Sequence, residues 1–446
     1  MIRCESAGME DEYTKLIRRL NPPRVEIDND ASDNATVIRV DSVNKQGILL
    51  EVIQFLTDLN LNINKAYISS DGLWFMDVFN VTDCDGNKIV DQEIMDYIKK
   101  SIETEACIFS SVRNNVGVMC SQESTLIELT GTDRPGLLSE VCAVLADLKC
   151  DVLKAELWTH NTRVAAIVQV TDILTKLAVN DEERLSTIKE LLSTVLRGND
   201  GLSRMGKTCV SKGVVHTERR LHQLMFNDRD YERVQNDWSI VEQDDGSRPH
   251  VVLLDCLERD YTIAILKSKD RPKLLFDTIC TLTDMQYVVF HGTVYAGSDG
   301  AYQEYYIRHI DGLPVRSEAE RQRVEKCLQS AIERRSSEGL EFELTAEDRV
   351  GLLSKITRIF RENGLTIRRA EVTTEGGKAV DSFFVSDMSG GSVDADIINF
   401  IHREIGPNFL RVKKNPFCPP HSSKPGADRI GFLFGNFLRA CFFHSF

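Results

Sequence analysis

Four short segments carry the residue types from which a small-molecule site is built. They are Asn44-Lys-Gln-Gly47-Ile48-Leu-Leu, Asp133-Arg134-Pro-Gly136-Leu137-Leu, Asp270-Arg-Pro-Lys273-Leu-Leu and Asp348-Arg-Val-Gly351-Leu352-Leu. An Asp or Asn beside a helix start can cap its free amides, and Pro135 suits a first helical turn. A glycine lets the backbone come close to a ligand, and the amides of a helix N-terminus favour a carboxylate. Asn44 or Asp133 could then meet the ammonium group of a ligand. The same residues equally suit a tight strand-to-helix connection with no ligand. The third copy departs where it matters. Lys273 replaces glycine there, adding a side chain and a positive charge, so this copy reads as structural or as the holder of a different anion.

Other chemistry has less behind it. Gly201-Leu-Ser-Arg-Met-Gly206-Lys207-Thr208 matches the phosphate-binding loop pattern. That loop works only when a buried strand leads in and Lys-Thr opens a helix. Here the helix-like run Leu185 to Leu196 leads in and a strand-like run from Cys209 follows, so nucleotide binding is not expected. The 12 cysteines are spread from Cys4 to Cys441 with no Cys-x-x-Cys pair, and read as reduced thiols acting as small hydrophobes. His216 and His222 are six apart on a charged run, which is not metal-ligand spacing and reads as a solvated helix. Neither a Gly-x-Ser-x-Gly elbow nor a His-Glu-x-x-His segment is present. No catalytic residue, metal or cofactor is expected.

The four segments need elements to position them. Each follows an alternating apolar run: Thr36 to Asp41, Thr125 to Thr130, Tyr261 to Leu266 and Leu340 to Thr345. Period-two alternation marks a strand with one buried face. Each also precedes apolar residues at helical spacing, such as Leu137, Leu138, Val141, Val144, Leu145 and Leu148 in the second copy. Two further strand-like runs then follow across a polar turn, as at Asp71-Gly72, Thr159 to Thr162, Gly297 to Gly300 and Glu375 to Gly377, which reads as a hairpin. From Gly47 to Asp83, Gly136 to Asp172, Lys273 to His309 and Gly351 to Asp387 the interval is 36 positions each time. A second helix is expected over Asp91 to Glu103, Asp181 to Leu196, Glu318 to Arg335 and Asp394 to Glu404. Closing strands are expected at Ile108 to Val112, Thr208 to Val215 and Phe409 to Val412, and the third copy has little room for one.

Each unit is thus strand–helix–strand–strand–helix–strand, an α+β pattern that forms a four-stranded antiparallel sheet with both helices on one face. The expected division is an extension at 1–35, units at 36–113, 124–215, 260–338 and 339–413, a helical and polar linker at 216–259, and a tail at 414–446. Loop positions are 89, 137 and 78 residues apart, so units one and two lie close in the chain, as do three and four. A paired arrangement, two units plus two units, is the expectation. Sheet edges invite pairing with a neighbour, including a second copy of the chain.

Strand, Asp-Arg-Pro-Gly-Leu-Leu, helix and hairpin, repeated four times, is similar to the ACT domain, a small regulatory module. The chain as a whole resembles the plant ACT-domain repeat proteins, which hold several such units and no catalytic domain. That resemblance implies a ferredoxin-like fold per unit, pairing of sheets, and amino-acid binding at unit interfaces around Asn44, Gly47, Ile48, Asp133, Arg134, Gly136, Leu137, Asp348, Gly351 and Leu352. The same tandem motif occurs at the regulatory end of a bacterial uridylyl-transferring nitrogen sensor, which makes glutamine one candidate ligand. An interaction scaffold without ligand is the alternative, and in either case a protein partner is expected.

Composition fits this reading. The 446 residues hold 54 Lys and Arg against 68 Asp and Glu, a net charge of −14, which argues against a nucleic-acid partner. No apolar stretch approaches the roughly 20 residues of a transmembrane helix. Glu5, Glu10, Asp11 and Glu12 do not suit a signal or transit peptide, so a cytoplasmic location is expected, with the nucleus open as a second. The phenylalanine-rich tail after Lys414 has no assigned role.

Overall fold

The computed structural model describes residues 23–44, 47–71, 73–108, 124–197, 206–212, 216–227, 248–256, 259–297, 300–335 and 340–413. The tail at 414–446 and the first five residues of the Gly201 motif lie outside them.

Unit one comprises β1 (Arg24–Asp28), β2 (Thr36–Val43), α1 (Ile48–Asp58), β3 (Asn62–Ser69), β4 (Trp74–Thr82) and α2 (Gln92–Ile108). Unit two comprises β5 (Thr125–Thr132), α3 (Leu137–Asp147), β6 (Cys150–His160), β7 (Arg163–Asp172), α4 (Glu182–Arg197) and β8 (Lys207–Lys212). Helix α5 (Thr217–Asn227) follows. Unit three comprises β9 (His250–Cys256), β10 (Tyr261–Ser268), α6 (Leu274–Asp284), β11 (Tyr287–Gly297), β12 (Gly300–His309) and α7 (Glu318–Arg335). Unit four comprises β13 (Leu340–Glu347), α8 (Leu352–Glu362), β14 (Leu365–Glu375), β15 (Lys378–Asp387), α9 (Ala395–Ile405) and β16 (Leu410–Val412). The α+β class and the antiparallel sheets are as the alternating runs foretold.

Two departures are informative. First, the outer edge strand comes from different places. Units two and four close with a strand after their second helix, β8 and β16, whereas units one and three take theirs from before the first strand, β1 and β9. In unit one the strand expected at Ile108 to Val112 is replaced: Ile108 ends α2, and 109–112 lie outside the described residues. Unit three needs no closing strand, because His250–Cys256 already pairs along β10.

Second, the pairs form between alternate units, not chain neighbours. One eight-stranded sheet runs β1-β2-β4-β3-β11-β12-β10-β9, joining units one and three, and the other runs β16-β13-β15-β14-β6-β7-β5-β8, joining units four and two. Like thus pairs with like, since partners share the same strand arrangement. The junctions are antiparallel, and their buried pairs are of small and branched residues, Ala66 against Val294 and Ala155 against Val372. A Cβ at Gly292 would come within 2.9 Å of the Tyr305 ring and 3.1 Å of Ile68, so glycine is what lets this junction close.

Each junction strand carries a β-bulge at the same place. The residues left without a Cα partner are Asn64, Leu153, Phe290 and Arg368, each 17 positions after its unit's loop position. A bulge bends the strand and re-aims a side chain. It is a feature of the repeat, and a register slip elsewhere would move the hydrophobic set off the core face.

The sheets are not independent. Helix α5 packs on β6 and β7, and α7 on β6, so unit three's helical layer covers the sheet face of unit two that its own helices leave bare. Leu126, Trp158, Ala165 and Ile167 of unit two therefore belong to the hydrophobic core of units one and three, together with Leu221 and Met225 of α5. This explains why β5 and β7 are buried on both faces, where a lone antiparallel sheet would alternate.

Candidate functional site

All four loop positions adopt the left-handed conformation that turns strand into helix: φ is 85° at Gly47, 82° at Gly136, 63° at Lys273 and 83° at Gly351. Glycine does this without strain, while Lys273 adopts it despite its Cβ. No helix among these four is capped by a side chain. The expectation that Asn or Asp caps the helix is therefore corrected: the capping position is the loop glycine or Lys273. The carboxylate and amide residues instead tie the loop to its own unit's hairpin. The backbone N–H of Asn44 donates to Leu73 O at 2.7 Å, that of Asp133 to Thr162 O at 2.8 Å and that of Asp348 to Gly377 O at 2.9 Å.

Because the paired sheets run antiparallel at the junction, the loop of one unit meets the junction strand of its partner. Unit two's loop shows how tightly this can close. Asp133, Arg134, Gly136 and Leu137 come together with Thr357 and Arg361 of unit four around a cavity of about 20 Å³, room for a water. A Cβ at Gly136 would lie 2.4 Å from Arg361 Cδ, so the glycine is where the Arg361 stem crosses the loop. Burial pushes the Asp133 carboxyl up to about 6, against the opposing charge of the bulge residue Arg368. Arg134 is turned away from ligand duty, since both its terminal nitrogens donate to Glu140 and one also to Val195 O at 2.9 Å.

In units one and four the loops stand open, with nothing within 4 Å of a Cβ at Gly47 or Gly351. Asn44 Nδ2 donates to Ser70 Oγ at 2.8 Å, and Ser70 N to the bulge residue Phe290 O at 2.7 Å, which links this loop to unit three. Thr374 donates to Asp348 Oδ2 at 3.3 Å. Ile48, Leu137 and Leu352 begin their helices and are buried in the core.

The unit that departs most in sequence has the most room. Between unit three's loop and unit one lies a cavity of about 440 Å³, within the usual range for small-molecule sites. Asp270, Arg271 and Lys273 line it from unit three, and Asn62, Asn64 and Thr82 from unit one. Asn64 is the bulge residue of β3, so a polar amide stands here where unit two's loop meets an arginine. Unit three's loop, expected to be structural or to hold a different anion, thus borders open space.

Behind this cavity is a charge cluster that spacing in the sequence did not disclose. Asp277 of α6 is fully buried. It accepts from Arg335 Nε at 2.8 Å and Arg334 Nη2 at 3.1 Å, and lies 2.8 Å from both Arg271 Nη1 and His222 Nε2. Burial opposes its ionisation, but Arg335, Arg271 and Arg334 hold its pKa well below the usual carboxylate range. Glu218 of α5 pairs with Lys273 and with Arg335, and these cations likewise overcome burial and hold its pKa down. The Arg334 guanidinium sits 3.4 Å from the ring centroid of Trp158 in unit two. His222, expected on a solvated helix, is instead wholly buried, and burial with Arg334 pushes its pKa down to about 3. The signal available in sequence was the apolar pair Leu221 and Met225 at i, i+4, which marks a buried stripe on that helix.

Two further motifs resolve. Lys207 and Thr208 lie on the edge strand β8, opposite Thr130 and Leu129, and do not open a helix as a phosphate-binding loop requires. Among the described residues no cluster could hold a metal ion, and the described cysteines are free thiols, of which Cys142, Cys150, Cys280 and Cys327 are buried. No described helix is long and apolar enough to cross a membrane.

Similarity to known proteins agrees with this architecture. A family model described as the ACR family N-terminal ACT domain matches residues 31–109, and models of the ACT domain match residues 123–193 and 341–404. ACT domain-containing protein ACR4 of Arabidopsis thaliana is 60% identical over 450 residues, covering 99% of this chain and 98% of that protein. The chain belongs to the plant ACR family of ACT domain-containing proteins. ACT domain-containing protein ACR6 of the same plant is 59% identical over 438 residues, covering 96% of this chain and 99% of the relative. A bifunctional uridylyltransferase/uridylyl-removing enzyme of Gluconobacter oxydans (strain 621H) is 46% identical over 89 residues, 19% of this chain and 9% of that enzyme. The ACR likeness runs the length of the chain, whereas the transferase likeness spans about one ACT unit.

Proposed function

We propose that this ACR protein is a non-enzymatic, cytoplasmic regulator that binds a free amino acid between its ACT units and signals occupancy to a protein partner. One observation carries the reading: the cavity of about 440 Å³ between units one and three, into which the uncapped first turn of α6 opens beside Asp270 and opposite Asn62 and Asn64. Helix amides suit an α-carboxylate and an Asp suits an α-ammonium, so the wall has the polarity of a zwitterion. The bare loops of units one and four offer the same backbone geometry without an enclosing wall, and Arg361 fills the loop of unit two.

A panel of the free amino acids in a thermal-shift assay tests this. A ligand that binds only the folded chain stabilises it by about 2.7 kcal/mol at a hundredfold its dissociation constant. A concentration-dependent rise in melting temperature with at least one amino acid is expected. No rise with any of them would leave an interaction scaffold as the reading.

A further inference from the structure

Unit three presents two cations to the cavity, Arg271 and Lys273, beside the acid Asp270, and two more cations, Arg334 and Arg335, stand behind them. Arg271, Lys273, Arg334 and Arg335 are four cations gathered around two firmly ionised acids, Asp277 and Glu218. Glu156, which accepts from Trp158 Nε1 at 2.7 Å, does not cancel the excess even when ionised. Arg271 Nε, Arg334 Nη1 and Arg335 Nη1 are buried with no hydrogen-bond acceptor among the described residues. Buried donors left unmade are costly, and like charges in a poorly solvated interior repel strongly. Of the four, Arg271 and Lys273 line the cavity itself.

The opposite features complete a three-point site. Asp270 of unit three and Asp85 of unit one line the same space and suit an ammonium group. Asn62 donates through Nδ2 to Asp83 O, and Asn64 through Nδ2 to Thr82 Oγ1, which leaves each amide a second N–H. The uncapped amides at Leu274 to Phe276 suit one carboxylate, and Lys273 with the unpartnered Nε of Arg271 a second, the terminal nitrogens of Arg271 being held by Asp277, Pro272 O and Ile332 O.

We propose that the cavity between units one and three selects a dicarboxylic amino acid, aspartate or glutamate, over the corresponding amide. This rests on the ligand-binding reading above and gives the chemical reason for Lys273 in place of the loop glycine. Lysine there supplies the charge that a second carboxylate needs, and glycine in the other three units does not.

Isothermal titration of the full chain with L-aspartate, L-glutamate, L-asparagine, L-glutamine and inorganic phosphate tests it. One acidic amino acid is expected to bind at least tenfold tighter than its amide, more weakly as salt is raised. Lys273→Gly restores the residue of the sibling loops at a φ that glycine accepts, and leaves Glu218 its Arg335 partner, so the fold is kept. It is expected to remove the tenfold preference while the variant still melts in a cooperative transition, lowered by the loss of one partner of Glu218. Asn64→Asp, which places a like charge on the facing wall, is expected to weaken the acidic ligand by at least tenfold. Amides binding as well as the acids, or phosphate alone binding, overturns the selectivity while leaving a ligand site in place. Binding of none of the five overturns the selectivity too, and the thermal-shift panel then decides the fate of the ligand reading.

Discussion

Lys273 and Gly136 occupy the same position of the repeat and do opposite things. At Gly136 the missing Cβ leaves room for the Arg361 stem to cross, whereas Lys273 keeps the backbone turn and sends its ammonium to Glu218. That every unit carries a strand-to-helix loop was legible in the sequence, because the motif and its spacing repeat, but that each loop residue, Lys273 included, is left-handed was not. What each loop faces was not, because the facing residue comes from another unit. A second repeated position makes a pH prediction. Asp77 and Asp381 stand 30 positions after Gly47 and Gly351, and burial pushes each carboxyl up to about 7. Asp77 Oδ2 is buried without a hydrogen-bond partner. A carboxyl whose folded pKa is raised contributes stability that is fully present below its ordinary value of 3.8 and lost as pH rises through about 7. Asp77→Asn is therefore expected to match the parent near pH 4 and to exceed it by roughly 1–3 kcal/mol at pH 8. Denaturant titrations at the two pH values check this, and an equal effect at both would contradict it.

At the scale of elements, α5 is the part whose role sequence reasoning missed. Its charged composition reads as solvated, yet its Arg220 pairs with Glu128 of unit two through Nε–Oε1 at 2.6 Å and Nη2–Oε2 at 2.8 Å. Its His222 lies against Asp277, and its Glu218 holds Lys273 and Arg335. The partners lie 92 and 55 residues away from Arg220 and His222, so no local pattern could announce them. Helix α5 is in effect a strut between the cavity wall of unit three and the sheet of unit two. Removing one partner of a buried charge cluster leaves uncompensated charge and costs about 3–5 kcal/mol. Asp277→Asn, which strips the charge but keeps the shape, is expected to fall within or just below that range. Trp158→Ala removes the ring under Arg334 and is expected to cost about 3–5 kcal/mol. Because Trp158 joins the two sheets, calorimetry of that variant should show two separated transitions in place of one; a single shifted transition would contradict the strut.

For the whole molecule, sequence spacing disclosed four copies of one unit but not their partners. Adjacency in the chain suggested neighbours, while the structure pairs units by their strand arrangement, β1 and β9 on one side, β8 and β16 on the other. Strands β1 and β9 were missed because each precedes the motif that identifies its unit, and Arg24-Val-Glu-Ile-Asp is short. Alternate pairing has a functional consequence. The two pairs differ: one encloses the large cavity, the other is shut by Arg361, and α5 lies between the cavity wall and the second pair. Hydrogen exchange of the full chain, with and without a saturating acidic amino acid, tests this division most directly. Added protection is expected at Asn62 to Asn64, at Leu274 to Asp277 and along α5, with none at Leu137 to Glu140 of the filled loop. Protection centred on the Gly136 loop, with the unit three loop unchanged, would contradict it.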